Sequence, residues 1–294
     1  MLVKLTHKMM KYMNLFGACA ALLVSGSAMG ESVRIEQKWQ EGKTYHNRQN
    51  VNMLIDMGAV KTGNVMTMDT IGKSTAHEKG VGVATSVRNL KSTVTVQLAE
   101  GGGGEQMTYD SNNRENNNAD LAKEMDQVLK MSYTAVYDKT GKFVMVEDIP
   151  KGLENVQGMD KKSLESNLRQ QSVLLPNKEV KVGDTWVAKV SSPLQGMNKD
   201  LIMTFNVKLV KVEEVNGRKI AKLAYTGKSE KTEVVENGQN MTIEATDIIG
   251  SMDFDVNMGQ VYKSDMGMKV TVKPQAGAAV QMNMRVTTEL FKVE

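Results

Sequence analysis

The chain has 294 residues, enough for a sizeable core and for either one large all-β domain or two coupled ones. Its net charge of +3 resides in the first thirty residues, where Lys4, Lys8 and Lys11 stand without any Asp, Glu or Arg; beyond them 34 basic residues face 34 acidic ones. A balanced chain generates no global field, so nucleic acid is not expected as a partner.

Residues 1–30 read as an export signal. A lysine-bearing start precedes the apolar run Leu15 to Val24 and the small residues Ser25-Gly26-Ser27-Ala28-Met29-Gly30. Met10 is an equally good initiator, and cleavage after Ala28 or after Gly30 satisfies the small-residue requirement. Cys19, the single cysteine, leaves with this segment. The mature chain is then without disulfides and without thiolate metal sites, and its expected location is the periplasm or the extracellular space. No later segment approaches the ~20 apolar residues needed for a spanning helix.

After the signal the dominant period is two. Ser92, Val94, Val96 and Leu98 share one face of a strand. Leu201, Met203, Phe205, Val207 and Leu209 do the same, as do Met268, Val270 and Val272, and Met282, Met284, Val286, Thr288 and Leu290. One apolar and one wet face predict antiparallel strands covered on a single side. Hairpin turns are expected at Lys139-Thr140-Gly141, Asn216-Gly217 and Asn237-Gly238. Two helices interrupt this pattern. Asp120 to Met131 places Leu121, Met125, Val128 and Leu129 on one stripe behind the Asn-rich loop 112–118. Asp160 to Gln171 carries Leu164 and Leu168, and Pro176 bars its continuation. Gly101 to Gly104 lacks the Lys-Ser/Thr of a phosphate loop and reads as a connection.

The expected class is therefore mainly β, with antiparallel meanders forming two similar curved sheets or half-barrels and two short helices. The chain divides into a signal (1–30), a first β unit (31–150, with the helix near 120–131), a helical connector (151–175) and a second β unit (176–294). Gly42-Lys43-Thr44-Tyr45 and Gly183-Asp184-Thr185-Trp186 open the two units. Tyr137-Asp138 and Phe254-Asp255, each followed by a glycine turn, close them. Trp39 and Trp186 stand near the two openings, as anchors at the edge of a core.

The block Leu175-Pro176-Asn177-Lys178-Glu179-Val180-Lys181-Val182-Gly183-Asp184-Thr185-Trp186, the signal and the Asp255-to-Gly259 turn resemble a family of secreted bacterial β-proteins, the domain-of-unknown-function family numbered 6263. The resemblance implies an exported, mainly antiparallel protein and transfers no catalytic residue. A looser architectural likeness is to periplasmic open-barrel lipid carriers, in which helices close a curved sheet over an apolar cavity.

Candidate chemistry is sparse. His46 and His77 have no metal-like spacing and read as solvated. No Gly-x-Ser-x-Gly elbow occurs, and acidic residues form no marked pair, so no catalytic residue and no cofactor is assigned. Asp255-x-Asn257-x-Gly259 has the opening spacing of a calcium loop, but the distal acidic ligand is missing and a strand turn accounts for it equally. Methionine is the compositional oddity: 18 of 23 lie beyond residue 30. Same-face pairs Met66/Met68, Met266/Met268 and Met282/Met284 can fill a core, form an adaptable wall or present soft thioethers to Cu(I). The expected function is noncatalytic binding of a lipid or other apolar small molecule by a Met- and Val-lined pocket. Met203, Phe205, Met268, Val270, Met282, Met284 and Met125 are the candidate lining. The alternative is an envelope component with a filled core that binds a protein partner through an exposed patch or edge.

Overall fold

The structure, a computed structural model, describes residues 31–98, 104–150, 161–171, 173–194, 199–236, 239–275 and 277–294. The export signal with Cys19, the glycines 101–103, the cap at Asp160 and the Asn237-Gly238 turn lie outside the described residues.

In chain order the elements are β1 (Ser32–Ile35), β2 (Thr44–Asp56), β3 (Val60–His77), β4 (Gly80–Leu98), β5 (Glu105–Asp110), α1 (Ala119–Leu129), β6 (Ser132–Tyr137) and β7 (Phe143–Glu147). Then follow α2 (Lys161–Gln171), β8 (Lys178–Lys181), β9 (Thr185–Pro193), β10 (Asp200–Val215), β11 (Arg218–Ser229), β12 (Thr232–Glu236), β13 (Gln239–Asp255), β14 (Gln260–Pro274) and β15 (Val280–Val293). The expected mainly β, antiparallel architecture is present. The two meanders share one sheet, in the order β7-β6-β4-β3-β2-β15-β14-β13-β11-β10-β9, with β5 on β4 and β12 on β13. The junction is the long antiparallel pairing of β15 with β2. A separate ribbon joins β1 to β8.

The alternation read from sequence sets which face is covered. Leu201, Met203, Phe205, Val207 and Leu209 are all buried, as are Met266, Met268, Val270 and Val272 on β14. Leu98 departs from its strand mates: it ends β4, beyond the last rung with β5, and is exposed. Asn216 and Gly217 both have positive φ (52° and 74°), the backbone of a tight two-residue hairpin. Asn118, from the Asn-rich loop, caps α1 by accepting the amides of Asp120 and Leu121. The block around Trp186 is knitted locally: the indole donates to the Leu174 carbonyl at 3.0 Å, and Asp184 accepts the Lys181 amide at 2.8 Å.

The sheet is bent into an open half-barrel. Its terminal strands β7 and β9 lie at opposite ends of the strand order, yet both pack against α2. Leu164 and Leu168 bury themselves against Phe143 and Val146 of β7, and Arg169 lies over the Phe143 ring. At the same end of the barrel, residues 36–41 cross between the two hairpin tips. Lys38 donates to the Gly259 carbonyl at 2.8 Å, and a side chain at Gly141 would collide with the Gln37 carbonyl. The two tips share one geometry. Asp138 accepts the amides of Thr140 and Lys142, Asp255 accepts those of Asn257 and Met258, and Gly141 and Gly259 have φ of 76° and 69°.

The convex face carries a ladder of charge across both meanders. One line of register runs Lys222, Asp253, Lys263, Glu289, Arg48, Asp69, alternating in sign over six adjacent strands. Arg48 grips Asp69 with two bonds of 2.7 and 2.9 Å, and Lys263 meets Glu289 at 2.8 Å. A lipid-facing barrel wall carries an apolar band at this position. Here this line of the outer wall is ionic, and the ladder favours the register because a slipped strand would forfeit its opposite-charge partners.

The ladder predicts a particular acid response. The Arg48 hydrogen bond holds Asp69 below the usual carboxylate range, and Lys211 does the same for Glu213. A carboxyl depressed in the folded state contributes stability above its unfolded value of about 4, and that contribution is lost as pH falls through the folded value. Asp253 opposes the trend, since burial pushes its carboxyl up and protonation relieves it. Thermal midpoints should be flat above about pH 5 and fall below about pH 4, with a shallower fall in 1 M salt. A midpoint that rises on acidification would show that Asp253 outweighs the paired carboxylates.

Candidate functional site

The concave face is best described by its rungs, the cross-strand sets that share one level. On β14, β15 and β2 the upper rungs are apolar: Val270, Met282 and Ile55 form one, and Met268, Met284 and Met53 the next, while their β3 members are the buried polar Thr62 and Asn64. Below them Met266, Val286, Val51 and Met66 are aligned. The character then changes. The next rung reads Ser264, Thr288, Gln49, Met68, and the one beneath it Leu290, Asn47, Thr70. The lowest reads Tyr45, Gly72, Thr85, Tyr133. Every inward position on β2, β3, β4, β14 and β15 along these rungs is uncharged.

Six of the seven residues singled out from sequence come together. Met203, Phe205, Met268, Val270, Met282 and Met284 belong to one apolar cluster that fills the β9–β15 side of the bend, and each is about 5% exposed or less. Met125 does not join them. It points from α1 into a second cluster with Leu90, Val94, Met107 and Tyr109. A third cluster lies under α2, around Ala135, Tyr137, Phe143, Leu164 and Leu168.

The three clusters meet without fusing. Half-buried Met66 borders the first and second, and half-buried Met131 borders the second and third. Between them the inward residues Asn47, Gln49, Met68, Thr70, Thr85, Thr288 and Tyr133 are only half-buried, although they lie on the covered face. Among the described residues, the side chains of Asn47, Gln49, Thr70 and Thr288 have no hydrogen-bond partner, whereas the Tyr133 phenol meets Thr85. A primary amide has two donors and two acceptor sites, and packing it away unpaired costs about 1–3 kcal/mol. These groups therefore keep part of their surface open to water, which satisfies them. Burial pushes the phenols of Tyr133 and Tyr137 up, so both remain protonated donors.

Aromatic rings pack below this half-buried band. Trp39, carried by the crossing segment, meets Tyr45 edge-on at 5.0 Å and Tyr137 at 4.9 Å, and Tyr137 meets Phe143 at 5.9 Å. Its indole N–H is buried with no partner among the described residues. Trp186 is half-buried beside the opposite meander, so both tryptophans sit where strand units begin. Sequence reasoning alone does not single out Asn47, Gln49, Thr70, Thr85, Tyr133 or Met131.

The remaining sequence candidates have local roles. Asp255 is buried, and one carboxylate oxygen accepts the amides of Asn257 and Met258 while the other lies 3.4 Å from Arg218. It is engaged as the cap of the β13–β14 turn. His46 and His77 are not the solvated side chains expected from sequence: each is half-buried beside a carboxylate, 3.8 Å from Glu294 and 3.4 Å from Glu147. No group of three or more His, Cys, Asp or Glu suited to a metal occurs among the described residues. A separate groove of about 780 Å³ beside β12 has mixed charge, with Lys199 and Lys273 near Glu233.

The class defined by this geometry is an open antiparallel half-barrel, sealed along its seam by a helix. Residues 156–261 match DUF6263, a family of unknown function, which is the family resembled by the Leu175–Trp186 block. No curated protein sequence matches the chain. Among solved structures it is similar to lipovitellin, described for its lipid–protein interactions, at 9% identity and a TM-score of 0.49, over 87% of this chain and 26% of that one. The chain thus spans about a quarter of the lipovitellin chain. It is also similar to the β domain of the Bordetella autotransporter BrkA, at 10% identity and TM-score 0.26, over 84% of this chain and 99% of that one. A Bacteroides fragilis protein of YmcC-like fold is similar at 11% identity and TM-score 0.19, over 89% of this chain and 99% of that one.

Proposed function

We propose that this is an exported, noncatalytic envelope protein that holds a small apolar or amphiphilic molecule inside the half-barrel. The observation that carries the reading is the break in the buried apolar face. A protein core ordinarily packs to crystal-like density, yet here three apolar clusters stay apart around half-buried Met66, Met68 and Met131 and unpartnered Asn47 and Gln49. Methionine suits such a wall because its unbranched thioether adapts to varied shapes. The fully buried methionines of the upper rungs serve as the rigid backing.

Other features agree with this reading. The inward positions of β2, β3, β4, β14 and β15 carry no carboxylate or imidazole, so the wall offers no acid–base pair. Among the described residues the large exposed apolar side chains Leu54, Val65, Leu98, Val187, Val235, Ile249 and Phe291 lie on seven different strands, with Leu54 and Val65 diagonal neighbours on β2 and β3. Residues 1–30 support export by their signal-like order.

Native mass spectrometry of the protein purified from the exported fraction tests the proposal. A mass above that of the mature polypeptide, lost after solvent extraction, is the expected result. Bare polypeptide mass, together with no binding of an uncharged apolar fluorophore after extraction, would remove it.

A further inference from the structure

The chemistry of the lining also selects the kind of molecule held, an inference that rests on the binding reading above. We infer that the ligand is an amphiphile with an uncharged, hydroxyl-bearing head, seated head-inward against Asn47, Gln49, Thr70 and Thr288. Its apolar body lies along Met66, Met68 and Met131.

Three observations converge on that assignment. The polar side chains are contiguous, since Thr288 faces Gln49 on one rung, and Asn47 faces Thr70 on the next. They are neutral, and the cations that neighbour them on β2 and β14 are paired on the convex face, where Arg48 grips Asp69 and Lys263 meets Glu289. Their amides and hydroxyls are unpartnered among the described residues, so the wall presents both donors and acceptors to whatever occupies the hollow. A hydroxylated head satisfies such a wall because each hydroxyl both donates and accepts. An anionic head would bury a charge with no cation to meet it, a strong penalty in a water-poor site.

The depth of the polar band sets the orientation. It lies between the methionine rungs above and the Trp39, Tyr45 and Tyr137 floor below. A head placed there lies against half-buried side chains and loses part of its contact with bulk water. Head-group charge should therefore be read strongly, which a site that held only the tail, with its head in solvent, would not do.

Displacement of N-phenyl-1-naphthylamine from the extracted full-length mature protein tests the assignment, with 1-oleoylglycerol and oleate at pH 9 as competitors of equal chain length. Half-displacement by 1-oleoylglycerol is expected at a concentration at least about tenfold lower than by oleate, corresponding to loss of one paired buried group. In Gln49→Leu, and in the gentler Thr70→Val, the fluorophore should still bind while the preference for 1-oleoylglycerol shrinks. Equal or stronger displacement by oleate from a protein that binds the fluorophore would overturn the neutral-head assignment and leave the binding function standing. Failure of the parent protein to bind the fluorophore at all would remove both.

Discussion

Gly141→Ala is expected to destabilise the protein by about 3 kcal/mol or more, well beyond the cost of the same change at another left-handed glycine. Gly141 has φ of 76°, a conformation in which a side chain costs about 1–2 kcal/mol. Gly58, at φ 78°, shares that cost, but a methyl group added there would have nothing within 4 Å, so it isolates the backbone contribution. At Gly141 the added carbon would meet the carbonyl of Gln37, a backbone atom that cannot rotate away. The crossing segment must then lift, and Trp39 lifts with it from Tyr45 and Tyr137. Gly259→Ala should behave similarly, since its side chain would stand 2.9 Å from the Lys38 amide nitrogen. Urea unfolding of Gly58→Ala and Gly141→Ala compares the two costs. Equal losses would mean that the crossing segment contributes nothing to holding the hairpin tips together.

Which parts of this fold are legible in the sequence follows from how local their causes are. The alternation of Leu201 to Leu209 is a property of five residues, and their burial follows it. The Asn216-Gly217 hairpin and the Asn118 cap are equally local. The joining of the meanders into one sheet depends on β15 pairing with β2, more than two hundred residues apart, and nothing within either strand names its partner. The seam depends on another distant closure, in which β7 and β9 reach the same helix.

The site is legible in part, for a similar reason. Apolar residues at period two announce a covered face, and the richest methionine runs announce it most strongly. Those runs are the packed wall at Met268, Met282 and Met284. The half-buried band below it is visible as an anomaly of another kind: Thr44-Tyr45-His46-Asn47-Arg48-Gln49-Asn50 is polar on both faces. A long strand whose covered side turns polar for two rungs must meet water, a hydrogen-bonding neighbour or a ligand there. Distinguishing these requires the cross-strand partners Thr70 and Thr288, which register alone supplies.

Leu168→Asp is expected to open the seam and convert the chain into larger assemblies. Leu168 is 5% exposed and packs in the cluster that contains Phe143 and Val146, so the new carboxylate would be buried among apolar side chains. Burying such a group unpaired costs several kcal/mol, more than α2 gains from its two buried leucines, and the helix should leave the sheet. Its departure frees both ends of the strand order at once. β7 and β9 would then present unpaired backbone groups, and β9 adds the exposed side chain of Val187. Open edges recruit strands from other copies, because pairing with a second chain satisfies the same backbone groups that α2 shields. Light scattering coupled to size-exclusion chromatography should show species larger than the parent at equal concentration. Leu168→Ala should be intermediate, with a loss of about 2–5 kcal/mol and little association, because it leaves a cavity without a charge. Glu165→Ala, which breaks only the surface pair with Arg169 at 3.8 Å, should elute as the parent does. Parent-like elution of Leu168→Asp with an unchanged thermal midpoint would show that the edges are held apart by something other than α2.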